Sequence, residues 1–247
     1  MRNFLTRTLT YAIVLVLALA YVVKFGGPSF LQLYIRSGIG DCVNLPLLCR
    51  VPEKEIKDPA LDKEFLGQMI PYSFEDMQVS LPREFAVVKQ NFSKLFYKKP
   101  GSRRDSVIYL LCEKPNFFVN LFPVLKRKGI TNDYEFWSKA MRADYNKTKS
   151  LLDLFFIIIK SIFTPCTAGQ ADIRLLAFET PQHKGFITYS LSKRSNLFDC
   201  NMVNTRGEYF KIYIKDIRSQ LHLKQIFTII STVRGKGHSS QMHTDSP

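Results

Sequence analysis

Residues 150–166, SLLDLFFIIIKSIFTPC, are the most apolar stretch outside the N-terminus, and whether they cross a bilayer decides the topology. A helical span needs about 20 predominantly apolar residues. Only about fourteen precede Pro165, and Asp153 and Lys160 interrupt them. Charges of this kind are costly in hydrocarbon. At about 100° per residue, Arg142, Asn146, Lys149, Asp153, Lys160 and Thr164 share one narrow strip. That strip continues the phase of a helix that Asn132, with Glu135 three residues on, should open as a capping box. The expectation is one long helix from Asn132 to Pro165, packed on a sheet, with a bilayer-surface contact as the alternative for its apolar end.

The N-terminus carries the stronger membrane signal. Thr8–Val23, TLTYAIVLVLALAYVV, is sixteen residues without a charge, preceded by Arg2 and Arg7 and followed by Lys24. A basic head before an apolar run marks a signal peptide or a signal anchor. Ala18-Leu19-Ala20 matches a cleavage site, but Tyr21-Val22-Val23 prolong the apolar run beyond it. The reading favours an uncleaved transmembrane anchor within residues 1–25, with Lys24 snorkelling. The amine and two arginines before the run put the N-terminus in the cytoplasm and the main domain outside it. A cleaved signal peptide and a secreted protein form the competing reading.

The remaining chain is long enough for one real core, since 46% of the 247 residues are hydrophobic. Its formal charge of +14 favours anionic partners. Residues 53–76 are locally acidic, so the cations fall mostly later. KKPGSRRD is expected to be an exposed hairpin tip. Its Lys98, Lys99, Arg103 and Arg104 are the candidate contact with anionic headgroups. Nucleic acid fits less well, because no aromatic-interleaved RNA-binding motif accompanies the cations.

Five cysteines leave at least one thiol unpaired in a monomer. Cys42 and Cys49, in GDCVNLPLLCRVP, are candidates for a small disulfide loop in an oxidising compartment. Cys166 and Cys200 are a second candidate pair, with Cys112 buried in a strand. Five reduced thiols are the alternative.

Residues 26–69 read as a juxtamembrane linker, with one or two helical turns at Asp62–Met69. An α+β domain follows over 70–233. Strands are expected near Phe74–Leu81, in FAVVKQ, FSKLFYKK, SVIYLLCE and FFVNLFPVL, and after the long helix in ADIRLLAFET and GFITYSLSK. A loop is expected around Asn196–Asn204, then EYFKIYIKDI as strand or helix start. A last helix should turn Leu221, Ile226, Ile229, Ile230 and Val233 inward. Residues 234–247 form a polar tail expected to be disordered. The fold class is α+β: a mainly antiparallel sheet against one long helix and a C-terminal helix, behind the anchor.

Catalytic signatures are weak. The chain has no HExxH, no GxSxG elbow, no P-loop and no GxGxxG, and no metal-type ligand spacing. Cys166 with His183 or His222 would make a nucleophile and base, without an oxyanion signature. Cofactor and metal are therefore expected to be none.

The element order, with Ser80-Leu81-Pro82-Arg83-Glu84-Phe85 closing the first core strand and Gly169 ahead of ADIRLLAFET, resembles the α/β sandwich of PsbP-like proteins over about residues 70–233. That resemblance implies an accessory protein, secreted, lumenal or membrane-tethered, that binds rather than catalyses. The expectation is thus a single-pass membrane protein with an extracytoplasmic binding domain. Its rival is a secreted ligand-binding protein or hydrolase with a pocket between helix and sheet.

Overall fold

The structure is a computed structural model that describes Leu33, Ser37, Leu48, Cys49 and residues 53–74, 77–90, 94–97, 106–163, 173–192, 195–217 and 221–235. The expected anchor, Cys42, Cys166, the hairpin tip with Lys98, Lys99, Arg103 and Arg104, and the tail after Gly235 lie outside them. Among the described residues, no helix is long and apolar enough to cross a membrane. The chain divides into two compact units, residues 51–141 with 170–247 and residues 1–50 with 142–169.

The larger unit is a mixed α/β fold around an eight-stranded sheet. Its strands are β1 (Glu53–Lys57), β4 (Ala86–Gln90), β5 (Lys94–Tyr97), β6 (Val107–Glu113), β7 (Ile173–Glu179), β8 (His183–Leu191), β9 (Asn196–Asn204) and β10 (Tyr209–Asp216), in the order β1-β7-β8-β9-β10-β6-β5-β4. Every pairing is antiparallel except β1 with β7. A second sheet joins β2 (Met69–Ser73), β3 (Met77–Pro82) and β11 (Arg234–Gly235).

Period-two alternation puts Leu176, Phe178, Ile187, Tyr189, Phe198, Cys200, Met202, Phe210, Ile212 and Ile214 on one face of the large sheet. There they share one core with Met77, Val79 and Leu81 of β3 and with the C-terminal helix. The described helices are α1 (Lys63–Gly67), α2 (Phe117–Leu121), α3 (Asp133–Arg142), α4 (Leu151–Phe163) and the C-terminal α5 (Leu223–Ser231). Ile226, Ile229, Ile230 and Val233 are buried as their spacing predicts. Thr232 Oγ1 accepts the Ser80 N–H at 2.9 Å and Thr228 Oγ1 accepts the Asp62 N–H at 2.8 Å, so α5 is pinned to β3 and to the start of α1.

Four expectations need correction. The single long helix is two helices: Asp144 Oδ1 accepts the Asn146 N–H at 3.0 Å and opens a 3-10 turn at Tyr145–Lys147. This local cap competes with helix continuation. Ser150 then caps α4 reciprocally with Asp153, whose Oδ2 accepts the Ser150 N–H at 2.9 Å while Ser150 Oγ accepts the Asp153 N–H at 3.2 Å. Lys160, a member of the polar strip, is fully buried, its Nζ donating to Ala143 O at 2.9 Å and Cys49 O at 3.3 Å. These contacts all lie in the smaller unit, to which α4 belongs.

FFVNLFPVL is not a strand but α2 and a 3-10 stretch, Pro123–Lys128. Asn116 turns the chain with a left-handed φ of 59°, and Asp133 Oδ1 accepts the Val119 N–H at 3.1 Å. Tertiary capping here outweighs the β propensity of Phe and Val. Asn196–Asn204, expected as a loop, is the central strand β9, buried along nearly its whole length. Finally, β1 lies within the stretch read as a linker, where α1 is the helical turn expected at Asp62–Met69. The charged alternation of EKEIK suits an edge strand, since edge charges guard unpaired backbone groups.

Candidate functional site

On the face of the sheet opposite the core, α3 supplies the cover that the sequence assigned to a longer helix. Tyr134 stacks on Phe186 at 5.7 Å and Trp137 on Tyr209 at 5.5 Å. Phe118 of α2 meets Phe136, Trp137 and Tyr209 at 4.9 to 5.1 Å. The Asn132 cap forms as expected, its Oδ1 accepting the Glu135 N–H at 2.9 Å. Glu135 reaches back one residue further than a capping box requires, to the Thr131 N–H at 2.7 Å. That bond holds its carboxyl below the ordinary range.

Where α3 begins, the ends of β7, β8 and β9 leave a cleft of about 480 Å³. Asn132 and Tyr134 line one side. The turn Thr180–Gln182, His183, Lys184 and Asn204 line the other. Hydrogen bonds tie each of the two loops that frame it. In one, Thr180 Oγ1 accepts the His183 N–H at 2.9 Å. In the other, Asn204 Oδ1 accepts the N–H groups of Arg206 and Glu208 at 2.9 and 3.0 Å, and Gly207 takes a left-handed φ of 81° that favours glycine. Lys184 Nζ lies 4.4 Å over the Tyr134 ring, a cation–π pair at the rim.

His183 is 3% exposed and stands edge-on to Phe210 at 5.8 Å, and neither ring nitrogen has a hydrogen-bond partner. Burial, with the positive charge of Arg234, lowers its pKa to about 4, so it is neutral at ordinary pH. A smaller cleft of about 400 Å³ lies beyond the same Thr180–Gln182 turn, beside Asp58 and Arg234.

Further along the outer face lies a buried polar belt. Both carboxylate oxygens of Asp199 stand 3.2 Å from Lys211 Nζ, and Tyr209 donates its hydroxyl to Asn201 Oδ1 at 2.7 Å. Desolvation raises the Asp199 carboxyl despite Lys211, and raises the Tyr209 hydroxyl. A loop reading of Asn196–Asn204 hides this belt. Its trace in the sequence is the alternation of Leu197, Asp199, Asn201 and Val203 against Phe198, Cys200 and Met202.

Of the residues singled out by sequence, Cys49 is disulfide-bonded, with a partner outside the described residues. The Cys166–Cys200 pairing is overturned: Cys200 is a free thiol, fully buried in the core. Cys112 is not disulfide-bonded either, and is half-buried in β6. Among the described residues no group of three His, Cys, Asp or Glu side chains could hold a metal ion. His222 stands at the start of α5, where its N–H donates to Gln225 Oε1 at 2.9 Å.

No family model and no curated protein matches this chain. The solved structures include a distant likeness, the crystal structure of a protein from Bacteroides thetaiotaomicron VPI-5482, at 10% identity and a TM-score of 0.32. It covers 66% of this chain and 46% of that one.

Proposed function

We propose that this is a single-pass membrane-anchored accessory protein whose α+β domain stands outside the cytoplasm and binds a partner rather than transforming a substrate. The binding role is carried by the 480 Å³ cleft, whose walls combine the Tyr134 ring, amide side chains and a rim lysine on β8. Placement outside the cytoplasm rests on the charge-flanked apolar run Thr8–Val23 and is supported by the disulfide at Cys49, since such bonds persist in oxidising compartments. The likeness to PsbP-like accessory proteins agrees with this role and is itself part of the proposal. The second reading, a secreted ligand-binding protein or hydrolase, is favoured by the same cleft lying between the start of α3 and the strand ends.

Membrane fractionation separates the two. Retention in the membrane until detergent is added supports the anchor, and release by salt or alkali alone overturns it. In intact cells under reducing conditions, Cys49 should react with a membrane-impermeant thiol reagent; labelling only after lysis would put the domain in the cytoplasm.

A further inference from the structure

Residues 117–128 put an exposed apolar pair and three consecutive exposed cations on one short segment. Phe118, Val119 and Leu125 are buried at 3%, 0% and 1%, so the segment is nailed down from within. That anchoring forces Leu121 and Val124 outward, at 58% and 54% exposure, with the exposed ring of Pro123 between them. Lys126, Arg127 and Lys128 follow, all exposed, and the turn is closed at Gly129, whose N–H donates to Lys126 O at 3.1 Å. Asn120 Oδ1 accepts Lys126 Nζ at 2.9 Å, which draws that cation toward the apolar pair. Burying the two aliphatics by rotating the segment would expose Phe118 and Leu125 instead.

We infer that Leu121–Lys128 is an insertion tip that rests on an anionic bilayer surface, with Leu121 and Val124 dipping below the headgroups and Lys126, Arg127 and Lys128 pairing with them. The surface must be apolar and negative at once, and an anionic leaflet meets both demands. A chain of net charge +14 is already drawn to such a surface. This rests on the anchored reading above, which brings the domain to a membrane. It is separate from the tip of Lys98, Lys99, Arg103 and Arg104, which lies outside the described residues. Three cations near an acidic leaflet raise the bound population by about a hundredfold over a neutral one.

The full chain is reconstituted in vesicles of phosphatidylcholine alone or with phosphatidylserine, floated, and treated with a water-soluble amine-acylating reagent. Mass spectrometry reads Lys126 and Lys128, with Lys57 of the edge strand β1 as reference. Acylation of Lys126 and Lys128 should slow about tenfold or more with phosphatidylserine while Lys57 is unchanged. The double variant L121D/V124D, altered only at exposed positions, should keep its thermal midpoint and lose the protection. Equal acylation in both vesicles, or protection that survives L121D/V124D, overturns the inference. Protection that appears only on adding an acidic polypeptide assigns the tip to a protein partner and also overturns it. A wild-type chain that does not float with either vesicle sinks the anchored reading itself, a different outcome from floating without protection.

Discussion

Asp199 on β9 and Lys211 on β10 form an ion pair, at 3.2 Å, in which the carboxylate is 2% exposed and the ammonium 11%. Removing one partner strands the other in a low-dielectric site, whereas removing both does not. Lys211→Met should therefore destabilise the domain by about 3–5 kcal/mol, and the double variant Asp199→Leu/Lys211→Met by clearly less. Folding raises the Asp199 carboxyl above its ordinary value, so the folded chain holds that proton more tightly than the unfolded one. The Lys211→Met defect should accordingly shrink as pH falls. Denaturant midpoints across the cycle check this, and a double variant at least as unstable as Lys211→Met would refute it.

His183 should dominate the mild-acid limb of stability. Its pKa falls from 6.5 to about 4 on folding, so the unfolded chain takes up a proton that the folded chain refuses. Stability is complete above pH 6.5 and is lost as pH drops toward 4, by up to about 3 kcal/mol. His183→Gln should flatten that limb. Unfolding curves measured through this range decide it, and an unchanged acid limb in the variant would count against the assignment.

Asp133 holds α2 in place. It is 1% exposed, and its carboxyl is raised by desolvation but drawn back by the N–H groups of Val119, Phe118 and Phe117. Asp133→Ala should cost about 1–3 kcal/mol by leaving buried backbone donors unmet. Because Phe118 packs against Trp137, the near-ultraviolet dichroism of that single tryptophan should change with it. An unaltered spectrum and midpoint would remove the cap from the account.

Gly185 lies between β7 and β9 at a close approach of backbones. A Cβ there would come within 2.6 Å of Met202 Cα, on the neighbouring strand β9. Since that neighbour is backbone, relief requires strands to part. Gly185→Ala should destabilise by more than about 2 kcal/mol or prevent soluble expression. A near-wild-type thermal midpoint would show that the strands have room to move.

Local patterning was legible wherever one short segment decides its own fate. The Asn132 cap, the antiparallel pairing of β5 with β6 and of β7 with β8, and the inward face of α5 follow from turn chemistry and periodicity alone. The candidate cleft was not legible. Its lining comes from the start of α3, the β7–β8 turn and the end of β9, which meet only because β8 pairs with β7 on one side and β9 on the other. No spacing along the chain encodes that meeting.

What the sequence determined by itself was the alternation and capping that assign most elements, together with the charge-flanked apolar run and the basic excess. Tertiary structure decided the rest. NLFDCNMVN became a central strand because Asp199 gained Lys211 and Asn201 gained Tyr209, partners on the adjacent strand that offset burial of polar groups. FFVNL became a helix because Asp133 capped it from another segment. SLLDLFFIIIKSIF keeps its helical character but starts anew at Ser150, and its Lys160 is buried because backbone carbonyls receive its charge. Propensity is summed over neighbours in sequence, whereas the satisfaction of a buried polar group depends on neighbours in space.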